Sequence, residues 1–402
     1  EDSGIVAIPH LSRDLLACYD GNGSNFGTHP QNVLRGMIYR DGEYPYLFNL
    51  IDQYRALAKY NRGYSYNMVF VGPAWMNKAG RWEASNELLV KSYRDCMSYY
   101  GELKKAGEAC DMTMAEFARW FRANKPYREP CCALWRDILY GSGKQLFWYC
   151  DPYMRACADM NQGGALIDLR PYVAKLPWPV GIGTKHVQDA SYPFLVQSMY
   201  RAGYFTHYAG EGAIKSCKLS YQGEEVDLCL CRTKAKFSEE GGSRILALDP
   251  VDIEFSGLTL KIATKLAFAE GTGEIRVSRR LYDLSDPGAK VRVNEYITAC
   301  WGTTEYPEDM TGIELMCVGA TEGVKRLGYA YRCREESVSN AVRAEALVPQ
   351  VNTKLSMLPV SGGMVGYVRE GYAFSPMFTL GLTKDMADGE EMITCLRLEK
   401  AR

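Results

Sequence analysis

Two hydrophobic periods run along this sequence, one after the other. From Glu87 to Gly107, ELLVKSYRDCMSYYGELKKAG sets Leu89, Tyr93, Cys96, Tyr100 and Leu103 at helical spacing, with charged residues between them and a glycine where a C-cap belongs. That spacing predicts an amphipathic helix. In MTMAEFARWFRANKP, Thr113 and Glu116 make a capping box and Pro126 stands just past the end, so a second helix is expected there. PYLFNLIDQYRALAKY reads as a third helix, and YNMVFVGPAW as a buried strand that leaves into a loop. Helices alternating with apolar strands up to about Pro130 imply an α/β unit with a parallel sheet, partly barrel-like.

Beyond that point the period falls to two. Leu258, Leu260, Ile262, Thr264 and Leu266 alternate with more polar neighbours, as do Ile275, Val277, Arg279 and Leu281, and then Val291, Val293 and Glu295. The connections EGTG and SDPG are turn chemistry, and the pattern continues through GGMVGYVREGYAF to MITCLRLEK. Long antiparallel strands joined by tight hairpins are expected, forming a large β-sandwich. The fold class is therefore read as α/β plus all-β, with a barrel-like part over residues 1–130 and a sandwich over 131–402.

Charge and cysteine usage narrow the partners. The formal net charge is −1, so no long-range field favours nucleic acid or an anionic membrane. Apolar runs such as MVFVGPAWM fall far short of the ~20 residues a membrane span needs. Of the 14 cysteines, Cys18, Cys96, Cys110, Cys157, Cys300, Cys317 and Cys395 stand singly in apolar patterns, as reduced buried thiols do. Cys131 with Cys132, and Cys229 with Cys231, lack the spacing of a zinc site, and the cofactor, a bound metal included, stays unknown from the sequence. No basic segment followed by an apolar one opens the chain, which points to a reducing cytoplasm. The start EDSGIVAIPH lacks a methionine, as if the chain were cut from something longer, and another chain or a second copy is a possible partner.

Candidate chemistry concentrates in Gly-rich loops. DLLACYDGNG reads as a strand ending on Asp20, the position where α/β sheets bind ligands; Asp20 and Asn22 would equally make an Asx turn. His29 in GTHPQN is a candidate metal ligand, acid/base or substrate-binding residue, although a lone histidine before a proline is more often a loop hydrogen-bonder. GTKHVQDASYPF carries His186 and Asp189, and GYFTHYAGEG carries His207 and Tyr208, either as pocket walls or as core. WGTTEYPEDMTG, after a strand ending near Cys300, holds Glu305, Glu308 and Asp309, three carboxylates able to act as acid and base or to form a solvated turn. The 28 tyrosines and 7 tryptophans often adjoin hydrogen-bonding residues, as at Trp148 and Tyr149, which suits sugar faces as well as a Tyr-rich core. No P-loop, dinucleotide fingerprint, HExxH or GxSxG occurs.

The helix in DMTMAEFARWFRANKP resembles the closing unit of polysaccharide-deacetylase-type (β/α) barrels, and NFGTHPQNVL is similar to the histidine motif of that group. It keeps only His29, with Asn25 four residues earlier. A barrel followed by a long sandwich resembles retaining glycoside hydrolases of the α-mannosidase and thermophilic α-amylase type, whose sandwich is mutarotase-like. That resemblance implies a carboxylate nucleophile, which carries over to Asp20, and a second carboxylate as acid/base. Hydrolysis of a glycosidic bond is the expectation. The alternatives are mutarotase-like or epimerase-like isomerisation in the sandwich, with His186 or His207 as acid and Glu305 or Glu308 as base, and a non-catalytic carbohydrate-binding subunit.

Overall fold

The computed structural model describes residues 6, 45–56, 58, 63–67, 86–125, 129–136, 145–174, 195–197, 214–299, 312–372 and 375–401. The chain separates into two units, Glu1–Gly143 and Lys144–Arg402.

In the first unit, helix α1 spans Pro45–Ala56, α2 Asn86–Lys105 and α3 Met114–Asn124, followed by strand β1 at Cys131–Arg136. The apolar stripe read in α2 is used as such, with Cys96 and Leu103 buried. From α1, Ile51 and Tyr54 are buried, and the Tyr54 ring meets Trp135 edge-on at 5.3 Å. Tyr99 donates to Asp52 at 2.6 Å, tying α2 to α1. Helix α3 starts on both halves of its capping box, with Thr113 Oγ1 accepting from the Glu116 backbone and Glu116 accepting from the Thr113 backbone. Three helices and one strand are what the described residues of this unit hold. They do not show the parallel, barrel-like sheet or the deacetylase-like barrel expected for 1–130. The strand expected before Asp20 lies outside the described residues, as do residues 68–75 of the second expected strand.

The second unit is built from antiparallel strands. In chain order they are β2 Gln145–Cys150, β3 Met154–Asp159, β4 Ala165–Pro171, β5 Val196–Gln197, β6 Ile214–Tyr221, β7 Glu224–Asp227, β8 Ala235–Glu240, β9 Ser243–Phe255, β10 Leu258–Ala269 and β11 Glu274–Tyr282. There follow β12 Val291–Ala299, β13 Glu314–Gly319, β14 Gly323–Gly328, β15 Glu335–Val338, β16 Ala341–Val348, β17 Thr353–Pro359, β18 Val365–Tyr372, β19 Ser375–Met386 and β20 Glu391–Lys400. One sheet runs β2-β3-β4-β6-β12-β19-β18-β15, with β5 against β4 and β7 against β6. The other runs β14-β13-β16-β17-β20-β11-β10-β9-β8.

Alternation creates these strands and aims them. In β10, Leu258, Leu260, Ile262, Leu266 and Phe268 are buried while Thr259 and Lys265 are exposed. Phe255 pairs with Leu258 across the two-residue turn Ser256–Gly257, where Gly257 takes a φ of +86° that a side chain would disfavour. The inner faces of the two sheets form the core, where the Phe147 and Tyr149 rings pack on Phe268 at 5.3 and 5.1 Å.

That core also holds a linked cluster of three charged groups. Glu295 of β12 accepts from Arg279 Nε of β11 at 2.9 Å and from Lys215 of β6, and Arg279 donates to Thr264 Oγ1 at 2.7 Å. Burial alone would raise the Glu295 pKa, but Arg279 and Lys215 outweigh it and hold the carboxyl below its usual range. Burial, with Arg279 nearby, pushes the Lys215 ammonium down. Because Glu295 points inward, its neighbours Asn294 and Tyr296 point to the open face of the first sheet.

Candidate functional site

The open face of the first sheet carries a pocket of about 610 Å³. Most of its polar side chains come from alternate positions of five adjacent strands: Glu225 and Asp227 on β7, Lys218 on β6, Asn294, Tyr296 and Thr298 on β12, Thr379 on β19, and Tyr367 and Arg369 on β18. Register places them in rows. Asp227 and Asn294 flank Lys218, Tyr296 and Tyr367 flank Gly381, and Thr298 and Arg369 flank Thr379. From β7 to β18 the floor spans four inter-strand steps, roughly 19 Å at ~4.8 Å each.

Tyr367 lies across this floor. A Cβ at position 381 would overlap its ring carbons, so the ring rests where Gly381 leaves the sheet bare. Its hydroxyl donates to Asn294 Oδ1 at 3.1 Å, which fixes the ring and leaves the Asn294 amide N–H groups without a partner among the described residues. Burial raises the Tyr367 pKa, with the Asn294 hydrogen bond and the Arg369 charge pulling the other way. Beside it, the Thr298 and Thr379 hydroxyls share a hydrogen bond of 3.0 Å.

Three carboxylates line the pocket in different states. Glu225 is paired with Lys218 at 2.6 Å. Glu370, fully buried, accepts from the backbone N–H groups of Ala330, Arg332 and Arg334 at 2.7, 3.1 and 3.3 Å and from Arg334 Nε at 2.7 Å. Burial would raise its pKa, yet those donors hold it low, and its role is to pin the chain before β15 onto β18. Asp227 has no cation within ion-pair distance among the described residues. Its Oδ1 caps the short turn Leu228–Leu230 through the Cys229 N–H at 2.9 Å, and its Oδ2 accepts from the Tyr296 hydroxyl at a long 3.4 Å. Burial, then the nearby Cys229 and Asp227, raise the Tyr296 pKa, so its phenol stays protonated.

Asp20, His29, His186, Asp189, His207, Tyr208, Glu305, Glu308 and Asp309 lie outside the described residues. Trp148 is half-buried, its ring 5.2 Å from the Arg155 guanidinium, which is itself bidentate to Asp168 at 3.0 and 2.8 Å. Tyr149, the next residue, points the other way into the core, and its hydroxyl donates to Asp151 at 2.9 Å. The pleat separates two rings that are adjacent in sequence. The polar pocket residues lie mostly on strands, outside the Gly-rich loops in which the sequence concentrates candidate chemistry. Their signal was available in β12, where Asn294, Tyr296 and Thr298 alternate with the inward Val293, Glu295 and Ile297.

The twelve described cysteines are all unbridged, and no group of His, Cys, Asp and Glu among the described residues could hold a metal ion. No described helix is long and apolar enough to cross a membrane.

No protein-family model matches the sequence, and no curated protein matches it. Among solved structures the chain is similar to a galactose mutarotase-like protein from Clostridium acetobutylicum, at 8% identity and a TM-score of 0.42, covering 66% of this chain and 97% of that one. A putative aldose 1-epimerase from Klebsiella pneumoniae matches at 8% identity and a TM-score of 0.43, covering 68% and 85%. A GH36 α-galactosidase from Geobacillus stearothermophilus matches at 8% identity and a TM-score of 0.37, covering 67% and 41%. With TM-scores below 0.5, these likenesses carry no functional argument.

Proposed function

We propose that the protein is carbohydrate-active and that its sugar lies in the pocket on the open face of the first sheet. The observation that carries this is the Tyr367 ring, laid over Gly381 and tethered to Asn294, with Thr298, Thr379, Tyr296 and Asp227 around it. A sugar ring has an apolar face for such a platform and a rim of hydroxyls for the amide, hydroxyl and carboxylate groups around it. The volume of about 610 Å³ is ordinary for a ligand site. Calorimetric titration with a panel of oligosaccharides tests it: Tyr367→Ala should weaken binding by ~1–3 kcal/mol, the worth of an aromatic contact with its desolvated surface. Full affinity in that variant would remove the platform and the proposal with it.

A catalytic role is favoured by one feature, Asp227, which faces no cation among the described residues and is held by the Tyr296 hydroxyl at 3.4 Å and the Cys229 N–H at 2.9 Å. Asp227 as a base, oriented by the Tyr296 hydroxyl, suits the opening and closing of a sugar ring, the isomerase-like alternative. Glycosidic hydrolysis would instead need a second carboxyl ~5–9 Å from Asp227. Glu305, Glu308 and Asp309 of the same unit are the candidates for that second group. Asp227→Asn should bind sugar but lose turnover, whether followed by polarimetry on free aldoses or by release of reducing ends from oligosaccharides. Binding without turnover in the unaltered protein would make it a carbohydrate-binding subunit.

A further inference from the structure

We propose that the sugar recognised here carries an anionic group, held by Arg369; this rests on the carbohydrate reading of the same pocket. The other full charges on the pocket wall are already engaged. Lys218 and Glu225 pair with each other at 2.6 Å, Glu370 is held by Arg334, and Asp227 accepts from Tyr296 and from the Cys229 backbone. Arg369 alone among these lining charges has no hydrogen bond or ion pair with the described residues, although Glu335 is its partner in register on β15. Its other register neighbour is Thr379, whose hydroxyl is engaged with Thr298. An exposed guanidinium at a pocket wall offers a fork of donors matched to a carboxylate or a sulfate, and binds either in bidentate fashion.

Position adds a direction. Arg369 stands two residues from Tyr367 on the same face of β18, ~7 Å along the strand, about the reach from a stacked ring to an acidic substituent. The opposite end of the floor is acidic, with Asp227 and Glu225 on β7. An acidic group is therefore attracted at the β18 end and repelled at the β7 end. The ligand is a sugar with its charge at one end and neutral hydroxyls over Asn294 and Asp227.

The intact protein should be titrated with four sets of glycans: uronate-containing, the same glycans after carboxyl reduction, sulfated, and the same after desulfation. Arg369→Gln and Tyr367→Ala are run beside it, each shown by its melting curve to be folded at the titration temperature. The expected result is that one acidic set binds about tenfold or more tighter than its neutral counterpart, and that this ratio falls to about one in Arg369→Gln. Which set shows the preference decides between carboxylate and sulfate. Equal affinity for acidic and neutral glycans, or a preference that survives Arg369→Gln, overturns the anionic ligand while leaving the carbohydrate reading standing. Binding of no glycan set, with Tyr367→Ala indistinguishable from the unaltered protein, overturns both.

Discussion

Tyr367 lies flat because residue 381 has no Cβ, and this dependence can be tested one atom at a time. Gly381 does not have the positive φ that excludes a side chain, so the backbone accepts alanine there and only the overlap with the Tyr367 ring opposes it. Gly381→Ala is expected to lift the ring, break its hydrogen bond to Asn294 and cost ~1–3 kcal/mol of stability, as overpacking does. Sugar affinity should fall in step with Tyr367→Ala. Denaturant unfolding beside titration checks it, and an unaltered affinity would mean that the ring's position does not matter. The buried charges make a second prediction at this scale. Lys215→Met leaves a one-to-one pair of Arg279 and Glu295, whereas Glu295→Gln leaves two cations facing a neutral amide in the core. Glu295→Gln should therefore be the more damaging, at ~3–5 kcal/mol, because it strands uncompensated buried charge. The reverse order in urea unfolding would show that Lys215 carries the network.

At the scale of elements, what the sequence shows and what it hides follow from how each element is stabilised. The strands around Leu258–Leu266, Ile275–Leu281 and Val291–Glu295 were legible because one face of each is buried, so the period of two is written in the side chains. Helix α2 was legible for the same reason at a period of 3.6, and α3 from its cap. The candidate site was not. Its residues are separated by up to about 160 positions, from Lys218 to Thr379, and meet only through the order β7-β6-β12-β19-β18, which follows from long-range pairing. Polar residues on an outward face look the same in sequence whether that face meets solvent or a ligand. Local signals are also locally testable: Thr113→Ala removes one half of a cap and should cost ~1 kcal/mol, confined to α3. Hydrogen exchange should show faster opening of the Phe117 and Lys125 amides, which bond back to Thr113 and Phe121, with the strands of the second unit unchanged. Equal acceleration throughout the chain would contradict that confinement.

For the whole molecule, a formal net charge of −1 means that general repulsion contributes little at neutral pH, so acid sensitivity should come from particular carboxylates. Two are placed to matter. Glu295 joins the sheets, pairing β12 of one with β11 of the other, and Glu370 fastens the segment 330–334 to β18. Both are held below their usual pKa of 4.5 in the folded chain. A carboxyl with a depressed folded pKa contributes its full stabilisation above its unfolded value and loses it as pH falls through the folded one. Stability should accordingly stay nearly flat from pH 7 to about 5 and decline below about 4.5. Glu370→Gln separates this from general acid swelling. The amide keeps one acceptor oxygen but loses the charge that Arg334 and three backbone N–H groups share, so the variant should be less stable at pH 7. Because the variant has no proton to take up there, the gap between the two proteins should narrow as the pH falls. Urea midpoints measured at half-unit steps from pH 7 to pH 3 give both curves. A gap that stays constant down to pH 3 would mean that Glu370 binds its donors equally well when protonated, and acid loss of the fold would then rest on Glu295 and the link between the sheets.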